Sequence, residues 1–552
     1  MRKEPMQKSM RRTITAGAAG LVLCLLAAGV PSFAQEIGEI KKNRETLYSE
    51  LFDTSFYNEG VNLLDFGRWG RKLFHKAVPS ANVNLFDEVP DSAFFTNRQG
   101  RERLSAEALE KGSRENDGPD MSQGLRVTAA EQRGIYPMFW VKDAKDEEYL
   151  LEFDPQIALD LSTGAEIIAS RFYHAFGYNV PQFTILFFNA DKIQAVSDAT
   201  TWEDTGFKKP LTQKRLMEYL LVLPQNAEGL YRASAQKIPR GEKKGPFSFE
   251  SRRKDDPADI INHRDRREIR ALGVFASWLN HFDLRETATQ DMLVNEGGRN
   301  VLKHYLVDFN GTLGATREGS KDPMLGHEHA VDYGETLKTM LALGFREKPW
   351  QKKWRHEGEK IQGSSAVGYF NNKFFDPAGY KTIFPYESFR MVTRADGFWA
   401  TKILASFSDA DIRAVVKAGQ YTRAEDADAI AKTLIERRDL ITRYWFSRSN
   451  SLDQFTLSNG KLSFKDLAVE YGLEPKEGTL YRIDVMTQGK DKKQITRLET
   501  REPWITVEPS WIADNAGIKL ILRSLHPSSK KESPAVEVLV NAQGIQGIRH
   551  ED

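Results

Sequence analysis

Between Arg270 and Gly314 the chain reads as a helix, a polar loop holding Asp283, a β-hairpin, and then Val307-Asp308-Phe309-Asn310-Gly311. This order restricts the fold more than any other stretch, because it sets two acids on loops at the same end of one hairpin. A phosphoryl-transfer site uses such a pair. One carboxylate lies beside the acceptor hydroxyl, and a second, delivered from the end of the hairpin, holds Mg²⁺ on the phosphates. Asp283 fits the first role and Asp308 the second. The hairpin between them turns at Glu296-Gly297-Gly298. The plainer reading is that both acids only cap turns.

The preceding segments supply a matching lobe. From Leu125 the pattern turns to strands: Gly134 to Val141, a turn at Lys142 to Glu147, then Glu148-Tyr149-Leu150-Leu151-Glu152-Phe153-Asp154, closed by Pro155. A helix follows, capped by Thr163 with Glu166 three residues on and Ile167, Phe172 and Phe176 along its apolar side. Val180 to Phe188 reads as another strand. Residues 190–225 read as an insertion with one short helix, Leu211 to Leu221, and Leu230 to Ile238 resumes a strand. Strand, turn, strand, helix, strand is the order of the N-terminal lobe of a protein-kinase-like fold.

The helix Arg266 to Leu279 carries Ile269, Leu272, Phe275, Ala276 and Leu279 at helical spacing and should be buried along that face. Beyond Gly314 the chain is mostly helical: Tyr333 to Leu343, Phe398 to Ser406, Asp409 to Lys417 and Ala424 to Trp445. After Phe455, short β-like runs separated by Gly, Pro, Asn and Lys-rich turns suggest a small β-sandwich. The expected fold class is α+β: a protein-kinase-like two-lobe body with a C-terminal all-β, sandwich-like domain. The divisions are 1–34 leader, 35–124 arm and loop, 125–238 N-lobe with insertion, 239–455 mainly helical C-lobe, and 456–552 β-domain.

The address is read from the first residues. Arg2, Lys3, Lys8, Arg11 and Arg12 precede an apolar run from Ala16 to Val30 and a small-x-small site at Ser32-Phe33-Ala34, which is the pattern of a signal peptide. The one cysteine, Cys24, lies in that run, so a mature chain from Gln35 has no thiol for disulfides, catalysis or metal binding. It would carry 73 basic against 76 acidic residues, a balance that gives no affinity for nucleic acid. No later run approaches the roughly 18 apolar residues of a membrane span. The expectation is an exported protein, periplasmic or extracellular, with a protein or envelope partner.

Several blocks resemble a family of uncharacterised secreted bacterial proteins: Asp87-Glu88-Val89-Pro90-Asp91-Ser92-Ala93-Phe94-Phe95-Thr96-Asn97-Arg98, Thr163-Gly164-Ala165-Glu166, Asp255-Asp256-Pro257-Ala258-Asp259-Ile260, Trp278-Leu279-Asn280-His281, His304-Tyr305-Leu306-Val307-Asp308-Phe309 and Thr433-Leu434-Ile435-Glu436-Arg437-Arg438. The resemblance spans roughly residues 80–455. That family is distantly similar to kinase-like folds of the HipA and spore-coat CotH groups. Carried over by position, the resemblance implies Asp283 as base, Asp308 as metal ligand and Glu166 as the helix carboxylate. It also implies Lys at the position of Glu152, to bind nucleotide phosphates, and Asn at the position of Ala288, to hold a metal. This chain departs at both.

Glu152 facing Glu166 sets a problem of charge. Two carboxylates about 4 Å apart repel by roughly 4 kcal/mol at an effective dielectric near 20, so they separate, share a proton or bind a cation. Separation would turn Glu152 to solvent, whereas a divalent cation held by Glu152, Glu166 and Asp308 would keep it inside. Lys237 could replace the missing Lys and Asp291 the missing Asn, each against a plain structural role. His263-Arg264-Asp265 spells a kinase tripeptide, but its helix follows it, so Asp265 reads as a helix N-terminal residue. His327-Glu328-His329 reads as structural, because neighbouring side chains point apart. The functional expectation is a degenerate kinase-like protein acting as a binding or scaffolding module. Alternatives are a phosphotransferase using Mg or Mn with nucleotide, and an envelope-binding protein acting through its β-domain.

Overall fold

The computed structural model describes residues 39–74, 77–133, 135–202, 207–348, 350–352, 364–488, 493–513, 517–529 and 531–552. Residues 1–34, expected to be a leader and including Cys24, lie outside the described residues. The first lobe is one seven-stranded sheet. Its strands in chain order are β1 (Leu125–Arg133), β2 (Tyr136–Lys142), β3 (Glu148–Phe153), β4 (Phe183–Phe188), β5 (Ile193–Trp202), β6 (Lys208–Pro210) and β7 (Tyr231–Lys237), and across the sheet they run β4-β7-β3-β2-β1-β5-β6. The helix Leu161–Phe176 sits between β3 and β4 in the chain. Residues 190–225 do more than insert a helix: β5 joins β1 in parallel and β6 pairs with β5, widening the sheet. Ile193, Ala199, Leu211, Leu216 and Leu220 bury together beneath it, which is what holds the extension down.

The start of the helix Leu161–Phe176 differs from the sequence expectation. Thr163 is not its cap. Asp154, just beyond β3, accepts the backbone N–H of Asp160, Ser162 and Thr163 at 3.0, 2.9 and 2.9 Å, and the Thr163 hydroxyl at 2.8 Å. Arg232 of β7 lies 3.4 Å from the same carboxylate. One fully buried acid therefore satisfies the orphan donors of the helix and ties it to two strands. That clamp fixes where Glu152 on β3 and Glu166 on the helix meet.

The second lobe is built on the helices Arg267–Leu279, Arg394–Ala405, Asp409–Lys417 and Ala424–Phe446. Phe172, Phe176, Phe275, Trp278 and Phe407 form its aromatic centre, with Phe176 stacked on Phe275 at 4.0 Å. The expected hairpin is present in this lobe, and a third strand and a second small hairpin add to it. A three-stranded sheet, β10-β9-β8, is made by β8 (Glu242–Gly245), β9 (Thr289–Glu296) and β10 (Arg299–Leu306), and the small hairpin β11 (Ala315–Thr316) and β12 (Gly319–Ser320) follows. Asp265 ends a 3-10 turn ahead of the helix, and His263 beside it bonds Asp259 at 2.7 Å, so that tripeptide is structural. Glu328 binds Lys348 and Trp350, and His329 Nδ1 lies 2.7 Å from the Thr382 carbonyl.

Among the described residues the C-terminal region has eight strands: β13 (Leu452–Ser458), β14 (Lys461–Asp466), β15 (Leu480–Thr487), β16 (Gln494–Thr500), β17 (Trp504–Thr506), β18 (Ile518–Leu525), β19 (Val536–Asn541) and β20 (Gly544–His550). They form two sheets, β13-β14-β17 and β16-β15-β18-β19-β20, all pairs antiparallel, around a core that includes Leu452, Leu462, Ile483, Leu520 and Val538. The α+β class and the C-terminal all-β domain expected from the sequence are both present.

Two contacts pin the ends of the chain to the body. His550 places Nδ1 2.9 Å from the Asp87 carboxylate and Nε2 3.0 Å from the Leu452 carbonyl, while Arg267 holds Asp87 at 2.8 Å and Asp396 at 3.0 Å. At the other end, the arm helix Leu47–Phe52 inserts Glu50, which accepts the backbone N–H of Glu286 at 2.5 Å and of Thr287 at 3.0 Å and the hydroxyl of Tyr386.

Candidate functional site

The loop after the helix Arg267–Leu279 begins at Asn280, whose left-handed backbone (φ 52°) ends the helix. His281 then points inward, with Nδ1 2.9 Å from the Tyr173 hydroxyl, and burial pushes its ring down to about 3, so it is neutral. Asp283 follows at the cleft. Its partner loop enters beside it: Phe309 is fully buried against Tyr173 and Phe183, with ring centroids 5.3 and 5.6 Å away, and this leaves Asp308 on the open side. Gly311 is required by the close approach, since a Cβ there would lie 2.4 Å from the Asp283 Cβ.

Asp283 and Asp308 are brought together and share a cation. Arg285 grips Asp283 with both arms, Nε to Oδ1 at 2.6 Å and Nη2 to Oδ2 at 3.0 Å, and the same Nη2 is 3.7 Å from Asp308. Burial raises the Asp283 carboxyl despite Arg285. Burial would also raise Asp308, but Arg317 and then Arg285 outweigh it and hold that group below the ordinary range.

Glu152 is not turned to solvent, nor does it face Glu166 as a bare pair. Its carboxylate binds the guanidinium of Arg317 and accepts Asn310 Nδ2 at 2.8 Å. Arg317 stands on the turn between β11 and β12. Burial opposes its charge, and Glu152, Asp308, Glu166 and Asp283, in that order, more than compensate. Glu166 is buried on the helix and accepts the Ser234 hydroxyl through Oε2, while Oε1 has no hydrogen-bond partner. Burial first, then Glu152, raise the Glu166 carboxyl well above the carboxylate range, with Asp308 adding to the effect. Of these acids Glu166 is the one most strongly biased toward its neutral form, and Arg317 carries the compensating charge of the cluster.

Lys237 and Asp291 lie elsewhere. On β7, Ser234 pairs with Glu152 and Lys237 with Tyr149, and an odd offset along a strand points the two side chains to opposite faces. Lys237 meets Glu147 at 3.3 Å. Asp291 sits inside the β9-β10 ladder opposite His304, at 2.6 Å from its Nδ1 and 2.6 Å from Arg253. A buried acid on a strand takes the nearest donors, His304 and Arg253, and neither is in the cleft. Ala288 is buried, so Asn310 is the amide that reaches Glu152. Among the described residues, no group of three or more acids or histidines is set to hold a metal ion. With Arg317 in place, Glu152, Glu166 and Asp308 do not fit one.

Four site residues were not anticipated. Arg285 was visible in the sequence as a cation two residues from Asp283. Ser234 follows from strand register, and Asn310 from its place beside Asp308. Arg317, on a two-residue tip in a Gly-rich segment, has no periodic signal; only the charge count around Glu152 pointed to a missing cation.

No protein-family model and no curated protein matches the chain. Among solved structures it is similar to the Helicobacter pylori proinflammatory kinase CtkA, at 10% identity and a TM-score of 0.32, over 60% of this chain and 99% of that one. It is also similar to the Golgi casein kinase, at 8% identity and a TM-score of 0.30, over 74% and 93% of the two chains. That kinase was solved with Mn/ADP bound as well, at 8% identity, a TM-score of 0.28, and 75% and 94% coverage. Likenesses this weak carry nothing about the chemistry of this cleft.

Proposed function

We propose that this protein is an exported, kinase-like binding or scaffolding module whose cleft is filled by its own arginine. The observation that carries the reading is the position of Arg317. Its guanidinium binds Glu152, and Asp308, Glu166 and Asp283 act on it in turn. These are the acids that a metal ion and a phosphate-binding Lys would otherwise serve. A fixed guanidinium meets two needs at once: it neutralises the acids and it occupies the place of the triphosphate. Export rests on the composition of residues 1–34, and the secreted-family resemblance with its HipA- and CotH-like relatives belongs to this same reading.

A second reading is favoured by one feature. Asp283 and Asp308 meet over one cation, Arg285, and a phosphotransferase that withdraws Arg317 before binding nucleotide with Mg or Mn would use them as its pair of acids. The discriminating measurement is a thermal shift of the chain from Gln35 with millimolar MgATP, MnATP or MnADP, on wild type and Arg317→Ala. A saturated site at 100 times Kd adds about 2.7 kcal/mol. The module reading expects no shift in wild type. A clear wild-type shift, lost in Asp308→Asn, would replace it with the phosphotransferase reading.

A further inference from the structure

On the far side of the loop that carries Asp283, two buried cations face a small cavity with no carboxylate bonded to either among the described residues. Arg437, from the helix Ala424–Phe446, is almost wholly buried and donates to Asn372 Oδ1 at 2.8 Å, the Asn371 carbonyl at 2.8 Å and the Ser277 carbonyl at 3.3 Å. Those bonds use three of its five N–H groups. Lys321, just past β12, donates one hydrogen bond, to the Leu325 carbonyl, and its Nζ stands 5.0 Å from the centre of the Tyr369 ring. Beside them the Asn280 Nδ2 and the Tyr380 hydroxyl are buried without a hydrogen-bond partner.

The cavity that these groups line measures about 30 Å³ for the centre of a water-sized sphere, and roughly 10–15 Å³ is enough for one water. Water fits this lining poorly. It brings two donors of its own to a wall already rich in donors, and Asp376, the one acid there, spends Oδ1 on the Ala378 N–H at 2.9 Å. A small anion accepts from Lys321, Arg437, Asn280 and Tyr380 together.

We propose that this cavity is a binding site for a small tetrahedral oxyanion of the phosphate or sulfate class, held by Lys321, Arg437, Asn280 and Tyr380. Unpartnered buried donors are costly, and an anion satisfies four of them in one step. The charge of the two cations is under the same pressure: burial, with Arg437 adding to it, brings Lys321 down to about 7, and burial brings Arg437 down to about 9. The site reaches the cleft along the chain. Asn280 caps the helix three residues before Asp283, and Lys321 follows the hairpin that carries Arg317, with its backbone N–H on the Gly314 carbonyl at 2.9 Å.

The test is calorimetric titration of the chain from Gln35 with sodium sulfate and with inorganic phosphate, against chloride at matched ionic strength. One saturable site for both oxyanions is expected, weakened at least tenfold in Lys321→Met. The variant should melt no lower than wild type in chloride, since it removes a buried cation that lacks a counter-ion. Absence of saturable binding overturns the proposal, as does a folded Lys321→Met that binds sulfate as well as wild type. If Lys321→Met does not fold, Tyr380→Phe, which deletes only the hydroxyl, carries the same test: a threefold or greater loss supports the site, and unchanged affinity overturns it.

Discussion

Arg317 reaches from the turn between β11 and β12 to the carboxylate of Glu152 on β3, spanning from one lobe's loop to the other lobe's sheet. The pair accounts for why the Glu152 carboxylate is tolerated in a largely buried position. Arg317→Ala leaves Glu152 with Asn310 alone in a mostly buried setting, a loss of about 1–3 kcal/mol, lessened because Arg317 is 31% exposed. Urea denaturation should show that loss, and millimolar Mn²⁺ should restore part of it in the variant only. An unchanged midpoint would mean that the pair is a surface contact without consequence.

Glu166 gives a pH signature. Its folded carboxyl is raised, first by burial and then by Glu152, so the native state binds a proton that the unfolded chain, with an ordinary Glu near 4.3, releases. The associated stability is present below about pH 4.3 and is lost as pH rises toward the folded value, at up to about 1.4 kcal/mol per unit. Glu166→Gln removes that dependence. The stability of the variant relative to wild type, measured between pH 4.5 and 8.5 at about unit steps, should climb with pH; a flat difference would show that Glu166 is ionised.

Asp87 has the opposite sign. Burial raises it, but His550 and then Arg267 prevail and bring it to about 2. Its contribution, roughly 2 kcal/mol, is present above an unfolded value near 3.9 and is lost as pH falls toward 2. Hydrogen exchange at low pH should therefore show β20 and the segment around Leu85 loosening together, since Ile548 N–H bonds the Leu85 carbonyl at 2.8 Å. Asp87→Asn should show the same loosening at neutral pH.

The cleft can be re-engineered as a test of its ancestry. Glu152→Lys combined with Arg317→Ala removes the resident guanidinium and gives Glu166 a Lys partner. A charge-assisted contact to phosphate contributes roughly 1.5–3 kcal/mol, so nucleotide affinity measured by fluorescence titration should rise about tenfold or more above wild type. No gain would place nucleotide recognition outside this cleft altogether.

Much of this architecture is legible from local pattern. The helix Asp409–Lys417 matches its sequence-derived bounds, and Ala424–Phe446 differs by one residue, because amphipathic spacing and serine or acidic starts are local signals. The order of a helix, a loop and a hairpin is enough to bring Asp283 and Asp308 to one place, where both lie near Arg285. What sequence could not supply was partnership across distance. Asp154 displaced Thr163 as the cap because β3 delivers it to the helix end, and Lys237 missed the cleft by strand parity. Arg317 meets Glu152 from 165 residues away, a pairing that no window of neighbouring residues contains.

The insertion of Glu50 beneath the loop of Asp283 and Arg285 has a mechanical consequence. Its carboxylate is the acceptor for two backbone N–H groups that begin at Glu286, the residue directly after Arg285. The outer side of the same arm is apolar and open, with Tyr48 84% and Phe66 83% exposed. A partner that grips this side and shifts Glu50 would loosen the anchor of the arginine that holds Asp283. By thermodynamic linkage, whatever enters the cleft would change the partner's affinity by the same factor. Glu50 thus joins an exposed apolar arm to the backbone directly behind the arginine that holds Asp283.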